Sequence, residues 1–167
     1  MKIKSIQAMK VRAPQRRKPS SAARRPPWTQ TFKSATPMSK YPGTSPLAPA
    51  QWEQVCVKVT AQDGTYGLGT TDYGYPVAAI VDHHFAPLLE GEDCFAIEKC
   101  WDLMFRASRA YGSQGLTSYA ISAVDLALWD LVGKLLDKPV YSLIGGKVRE
   151  EIPVDQVHFG RVLARRR

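Results

Sequence analysis

Residues Ala120–Gly145 read AISAVDLALWDLVGKLLDKPVYSLIG, and this stretch decides the fold. Apolar side chains recur at helical spacing, and Pro139 ends the helix because its ring cannot continue the hydrogen-bond ladder. Small residues such as Ala123 and Ala127 allow neighbouring backbones to come close. We predict one helix over 116–137 that is apolar, and therefore buried, on more than one side.

Upstream of this helix, apolar and polar residues alternate in three short runs. The alternation predicts strands over 2–12, 55–60 and 65–71. Asp63-Gly64 favours a tight hairpin between the last two, because both residues tolerate positive φ. In the third run, Tyr66, Leu68 and Thr70 continue the alternation begun by the valines of the second.

From Pro76 onward the hydrophobic period becomes helical. It predicts helices over 76–89 and 94–108 before the long one, with Asp93 as the N-cap of the second. The expected fold class is therefore α+β, a three-stranded antiparallel meander followed by a helical bundle. The 167 residues are too few for a TIM barrel, which needs about 250.

The net charge of +8 is unevenly distributed. Residues 1–40 contain 11 Lys and Arg and no acidic side chain. The body, 41–153, has a net charge of −6, and the tail, 154–167, has a net charge of +3. A nucleic-acid-binding protein usually has a basic folded surface, so nucleic acid is not expected as a partner. The alternating N-terminus predicts no secretory signal, and no membrane segment is expected. Cys56, Cys94 and Cys100 have no metal-binding spacing, which favours reduced thiols in the cytoplasm.

Three groups of residues could suggest chemistry, and each has a simpler interpretation. The glycines at 64, 67 and 69 do not have phosphate-loop spacing and are expected at a hairpin and in a strand. His83 and His84 point about 100° apart on a helix, so one should pack and one should be solvated. Asp130 should form an ordinary ion pair with Lys134 at i, i+4, and Asp125 could accept a hydrogen bond from a backbone end.

Residues 13–50 are rich in Pro, Ser and basic side chains and show no hydrophobic period, so we predict a long irregular segment. Cationic and aromatic side chains are mixed within it, and such mixtures can bind anionic small molecules or nucleic acids. By composition alone, a solvated loop is the favoured interpretation. The candidate binding residues are Arg24, Arg25, Trp28, Lys33, Lys40 and Tyr41.

The long helix and its Pro stop carry a recognisable pattern of spaced residues. The pattern consists of Ala120, Ala123, Asp125, Ala127, Asp130, Gly133, Lys134, Pro139, Leu143 and Gly145. In these positions the chain resembles the mandelate racemase and muconate-lactonizing family of the enolase superfamily, at the end of its N-terminal capping domain. The resemblance implies a capping domain over 1–138, with 13–50 as a substrate lid. It also implies a linker over 139–153 leading toward a barrel that is absent.

Within that family the chain most resembles the L-rhamnonate dehydratases, chiefly through Ala35–Tyr41 and Phe85–Gly91. These are Mg²⁺-dependent hydro-lyases of sugar acids and are expected to be homo-oligomers. A base removes the proton next to the carboxylate, Mg²⁺ stabilises the enediolate, and water leaves. The resemblance places the catalytic and metal-binding residues in the barrel, so none is assigned to this chain and no bound Mg²⁺ is expected. The family's substrate-binding His before residue 35 and Arg after Tyr41 are both missing here.

The segment after Pro153 is basic and unlike a strand that enters a barrel. We therefore expect a chain truncated before the barrel and inactive by itself. The alternative hypothesis is a stand-alone binding module that uses the basic segment and tail on an anionic partner. Without the barrel, an apolar surface should stay exposed and promote self-association. Its expected members are Leu126, Leu128, Trp129, Val140, Tyr141, Leu143 and Ile144.

Overall fold

The fold is taken from a computed structural model, which describes residues 1–11 and 53–151. One compact unit comprises Met1–Ala13 and Gln51–Val148. The predicted lid segment 13–50 and the tail 154–167 lie outside the described residues.

Three strands form one antiparallel sheet in the order β1-β2-β3, as the alternation predicted. They are β1 (Ile3–Val11), β2 (Gln54–Ala61) and β3 (Tyr66–Thr71). A bulge between Ile3 and Ser5 shifts the register of β1, and as a result Ile3 and Ile6 are both buried although they are three residues apart.

The face of β3 that points inward carries glycines, and not Tyr66 and Leu68, which continue the alternation of the second strand. Tyr66 and Leu68 are 44% and 40% exposed, whereas Gly67 and Gly69 are buried. A Cβ added to Gly69 would lie 2.0 Å from the Ala123 carbonyl oxygen, and one added to Gly67 would lie 2.0 Å from that of Ala127. The long helix therefore lies directly on the strand backbone, where a side chain has no room, and the bulkier residues of β3 face outward.

Helices follow the sheet, as the change of period predicted. They are α1 (Gly74–Ile80), α2 (Ala86–Leu89), α3 (Ile97–Ala107), α4 (Leu116–Leu135) and α5 (Val140–Leu143). The segment Val81–Phe85 joins α1 to α2 as a π-helical turn. Pro87 explains this turn. It has no backbone N–H to donate, and in a regular α-helix its ring would clash with the carbonyl group four residues earlier. Helix α5 lies within the segment predicted to be a linker.

Asp93 does not cap α3, which corrects the sequence prediction. The helix begins at Ile97 and is preceded by Ala96. The Asp93 carboxylate instead accepts hydrogen bonds from the Phe95 backbone N–H at 3.2 Å and from the Met1 ammonium at 3.4 Å. Three residues of turn between Asp93 and Ile97 place this carboxylate too far from the first helical N–H groups.

Both outer strands of the sheet are capped by an aspartate from a helical segment. The Ala8 backbone N–H of β1 donates to Asp82 Oδ1 at 2.8 Å, and the Leu68 N–H of β3 donates to Asp130 Oδ2 at 2.8 Å. Lys134 holds Asp130 in place at 2.7 Å and also donates to the Tyr66 carbonyl at 3.1 Å. These contacts satisfy edge groups that could otherwise pair with a foreign strand.

Helix α4 is the centre of the core, with Ala120, Val124, Ala127 and Leu131 fully buried. In the described part it is also long and apolar enough to cross a membrane, but 56% of that window is buried inside the fold, as in a core helix. Leu128 is buried as well, which corrects its expected exposure. Large exposed fractions are confirmed for Leu126, Val140, Tyr141 and Ile144, whereas Trp129 and Leu143 are half-buried.

Candidate functional site

The two strands that flank the basic segment meet at one end of the sheet. Val11, the last residue of β1, pairs with Gln54, the first residue of β2, so the intervening residues leave and re-enter side by side. Thr71, the last residue of β3, pairs with Val55 at the same end. Whatever the segment between the strands binds, its attachment points are fixed by the ladder.

The chain that leaves β3 is tied to this point by an unusual backbone conformation. Tyr73 has φ 64° and ψ 48°, the left-handed region that a bulky residue rarely occupies. The next N–H, of Gly74, donates to the Glu53 carbonyl at 2.7 Å, and a Cβ at Gly74 would lie 2.3 Å from that oxygen. The strained tyrosine and the close glycine together fix the start of α1 against the start of β2.

Two pairs of side chains, Lys10 with Tyr75 and Tyr73 with Tyr119, lie near this end of the sheet, and we call the four residues the loop-base cluster. Lys10 Nζ lies 4.1 Å from the centroid of the Tyr75 ring, within cation–π range. Tyr73 and Tyr119 meet edge to face at 4.7 Å, and the hydrogen bond between their hydroxyls raises the pKa of Tyr119. Tyr75 is 56% exposed. These contacts connect the end of β1 to the start of α1, and the start of α1 to α4.

The sequence-predicted lid residues are not part of this cluster as the structure describes it. Arg24, Arg25, Trp28, Lys33, Lys40 and Tyr41 all lie outside the described residues. Sequence reasoning, for its part, did not identify the cluster. The signal was weak but present, because two tyrosines separated only by Gly74 follow the end of a strand after a single residue, Asp72.

The two histidines behave as an ordinary helical pair. His83 is exposed, whereas His84 is half-buried and its Nδ1 lies 2.7 Å from the Tyr111 hydroxyl, so one packs and one is solvated, as predicted. Across residues 1–11 and 53–151, no group of three or more His, Cys, Asp or Glu side chains is arranged to hold a metal ion.

The two aspartates of α4, Asp125 and Asp130, have separate environments. Asp130 forms the predicted ion pair with Lys134 and, in addition, caps β3. Burial, with a smaller contribution from Glu98, raises the pKa of Asp125. No described residue donates a hydrogen bond to Asp125, so the predicted contact with a backbone end is absent from the described part.

The three cysteines are free. Cys94 and Cys100 are fully buried, and burial raises the pKa of the Cys100 thiol to about 11 and also raises that of Cys94. Cys56 is half-buried on the outer face of the sheet, next to Met9 and Thr70. Thiols held in the protonated form by burial are poor nucleophiles, so neither Cys94 nor Cys100 is a catalytic candidate.

Comparison with known proteins agrees with the architecture. Residues 31–145 match the model of the mandelate racemase / muconate lactonizing enzyme N-terminal domain. An L-rhamnonate dehydratase from Saccharopolyspora erythraea is 49% identical over 122 residues, which cover 71% of this chain and 31% of that protein. The chain thus spans about a third of the relative's length.

Two crystal structures from Gibberella zeae are similar. L-rhamnonate dehydratase superposes with a TM-score of 0.64 and 31% identity, over 89% of this chain and 36% of that one. Rhamnonate dehydratase complexed with Mg superposes with a TM-score of 0.58 and 42% identity, over 59% and 24%. The α+β fold, the residue pattern of α4 and these matches agree, and the chain therefore belongs to the mandelate racemase / muconate lactonizing enzyme family and contains its N-terminal domain.

Proposed function

We propose that this chain is the N-terminal, capping part of a Mg²⁺-dependent sugar-acid dehydratase that acts on L-rhamnonate or a close analogue. The observation that supports the proposal most strongly is the 49% identity with an L-rhamnonate dehydratase over 71% of the chain. The stand-alone binding module is not favoured, because the family match extends through the folded body and into the basic segment.

In this proposal the capping domain shapes and closes the site, and the reaction takes place on a barrel domain. Bound Mg²⁺ stabilises negative charge that develops on the substrate next to its carboxylate. The chain by itself neither binds Mg²⁺ specifically nor turns over. The proposed boundaries are 1–138 for the capping domain, 139–153 for the linker and 154–167 for a divergent tail, and the proposed location is the cytoplasm.

We assign the loop-base cluster the task of fixing both ends of the lid. Lys10 and Tyr75 hold the departing end of β1, and Tyr73, through Gly74 and Glu53, holds the returning end at β2. The cations of the lid, Arg24 and Arg25 among them, then bind the carboxylate of the sugar acid. Fixed attachment points reduce the conformational entropy that the lid loses when it closes.

The test compares the chain alone with a fusion to the C-terminal remainder of the Saccharopolyspora erythraea enzyme. We expect no dehydration of L-rhamnonate by the chain alone in the presence of Mg²⁺, and 2-keto-3-deoxy acid product from the fusion. The remainder without this chain is the matched control and should be inactive. Turnover by the chain alone would contradict the division of labour, and an inactive but folded fusion would contradict the substrate assignment.

A second arm of the test addresses the cluster. In the active fusion, Tyr75→Ala and Lys10→Ala should raise KM with a smaller effect on kcat, because they loosen the attachment of the lid rather than the reacting groups. Tyr66→Ala, which removes another exposed tyrosine in contact with a lysine, is the control and should leave both constants unchanged.

A further inference from the structure

Helix α4 and strand β3 are in contact at regular intervals. An added Cβ at Gly67 would lie 2.0 Å from the Ala127 carbonyl oxygen, and one at Gly69 would lie 2.0 Å from that of Ala123. Two residues forward along the strand thus correspond to four residues back along the helix. The two steps match in length, at about 6.6 Å for the strand and about 6 Å for the helix, so strand and helix run in opposite directions.

Tyr73 and Tyr119 make the next contact in this direction. Tyr119 lies one further turn back along α4, four residues before Ala123. Strand β3 ends at Thr71, and Tyr73 lies two residues beyond it. The two ring centroids are 4.7 Å apart in an edge-to-face arrangement, and the hydroxyls are hydrogen-bonded. Past the end of the strand, side chains therefore make the contact that backbone atoms make at the two glycines.

Tyr73 reaches Tyr119 from a strained backbone. Its φ of 64° and ψ of 48° lie in the left-handed region, where glycine and asparagine are common and a bulky residue is rare. Tyr73 is the N-cap of α1, but its side chain makes no capping hydrogen bond, so capping does not account for a tyrosine here. The contact with Tyr119 is what this position gains from a tyrosine.

The same turn is attached to the start of β2. The Gly74 N–H donates to the Glu53 carbonyl at 2.7 Å, and Gln54, the first residue of β2, follows directly. A Cβ at Gly74 would lie 2.3 Å from that carbonyl oxygen, so the two backbones are as close as they can be. A continuous series of contacts therefore leads from Tyr119 on α4, through Tyr73, to the point at which the chain enters β2.

We propose that Tyr73 is a positioning residue, that Tyr119 holds it in its left-handed conformation, and that this pair fixes the start of β2 relative to α4. The inference rests on the function proposed above, in which the capping domain closes the site. A strained conformation persists only while its surroundings restrain it. Loss of the hydrogen bond between the two hydroxyls should therefore loosen the turn at Gly74 and its contact with Glu53 before it unfolds the domain.

Amide hydrogen exchange of the complete chain, measured by NMR, tests this connection. Tyr119→Phe removes one hydroxyl and keeps the ring, so exchange at the Gly74 amide should become about fivefold faster, as expected for the loss of one hydrogen bond. The Leu68 amide, which donates to Asp130 on the same helix, is the internal control and should change less than about twofold. Tyr66→Phe should change neither amide. An equal rise at both amides, or an unchanged Gly74 amide, would overturn the proposal.

Substitution of Tyr73 itself tests the strain. Tyr73→Gly and Tyr73→Ala both lose the ring, but only glycine relieves the left-handed strain. The unfolding equilibrium constant of the alanine variant should therefore be about fivefold larger than that of the glycine variant in urea titrations. Ala79→Gly, at an exposed position within α1, is the control of opposite sign, because glycine destabilises a helix. Equal stabilities of the two Tyr73 variants would contradict the strain and overturn the proposal.

The fusion described above tests the positioning role. Tyr73→Phe and Tyr119→Phe should each raise KM about fivefold with little change in kcat, and the double variant should raise it no further, because all three lack the same hydrogen bond. Tyr66→Phe should leave both constants unchanged. Additive effects on KM, or an effect on kcat alone, would overturn the positioning role. A wild-type fusion without activity would instead contradict the proposed function, and the amide exchange would then decide this inference by itself.

Discussion

Replacement of Gly69 by alanine tests the closest contact in the fold, that between β3 and α4. The added Cβ would lie 2.0 Å from the Ala123 carbonyl oxygen and 2.8 Å from the Ala127 nitrogen. Ordinary contact requires at least 3.4 Å, so the helix and strand must separate by about 1.4 Å along that line. Both atoms belong to the backbone of α4, so no change of rotamer can relieve the clash.

The expected cost follows from this geometry. Overpacking of a core usually costs about 1–3 kcal/mol, and the rigid backbone on both sides places Gly69→Ala at the upper end of that range or above it. The gain from a less flexible unfolded chain, about 0.4–1 kcal/mol, is too small to compensate. We therefore expect a loss of about 3 kcal/mol in the free energy of unfolding, which lowers Tm by roughly 10 °C or more.

Urea unfolding followed by circular dichroism and tryptophan fluorescence measures this loss. Gly64→Ala is the matched control, because Gly64 has φ +91° but no atom within 4 Å, so its cost should be only the backbone strain of about 1 kcal/mol. Adding Ala123→Gly to Gly69→Ala should not restore stability, since the clash involves a carbonyl oxygen. A loss below about 1 kcal/mol at Gly69, or rescue by Ala123→Gly, would refute the reasoning.

Three further predictions concern the edges, the pH dependence and the thiols. Asp130→Ala and Asp82→Ala should each lower the free energy of unfolding by about 1 kcal/mol, because each leaves a strand N–H without its partner. Asp102→Ala is the control, because it removes only an exposed ion pair with Arg106 and should cost at most about 0.5 kcal/mol in the same urea titration. Burial raises the pKa of Asp125 in the folded state, so folding takes up protons between the unfolded and folded pKa values, and the free energy of unfolding falls as pH rises through that window. Asp125→Asn should therefore be more stable than wild type at neutral pH and should lose this advantage once the pH drops below the unfolded pKa. A difference in stability that stays constant across the window would contradict the prediction. Iodoacetamide should modify Cys56 in the native chain and reach Cys94 and Cys100 only after unfolding, as peptide mapping would show, since burial protects both and raises the pKa of Cys100 to about 11.

The order and type of the main elements could be predicted because hydrophobic periodicity reports burial directly. The strands at β1–β3 and the long helices α3 and α4 were found in this way. Local geometry was predicted less well, because it depends on neighbours that are distant in sequence. Tyr66 and Leu68 follow the alternating pattern of a strand, but this pattern does not determine which face of the strand is buried. The close approach of α4 at Ala123 and Ala127 determines that the glycines face inward and the bulky residues outward.

The candidate site shows the same division more sharply. The pairing of Val11 with Gln54, the strand residues on either side of the basic segment, follows from an antiparallel meander. The left-handed conformation of Tyr73 could not be predicted, because none of its neighbours along the chain requires it. It is held by the hydrogen bond from Gly74 to Glu53 and by Tyr119, which is 46 positions further along the chain. Strain of this kind can be recognised only after the tertiary contacts are known.

The pairing of β1 with β2 across residues 12–53 has a consequence for how such domains diversify. A hairpin usually has a connection of two to five residues, yet these two strands pair without a shift of register from Ser5–Thr60 to Val11–Gln54, on either side of 42 intervening residues. Because closure entropy grows only with the logarithm of length, the longer connection destabilises the hairpin by roughly 2 kcal/mol relative to a four-residue turn. The insertion can therefore be exchanged between relatives at little thermodynamic cost, provided that its two flanking strands are retained. The sequence of this connection and the stability of the folded body can thus change almost independently.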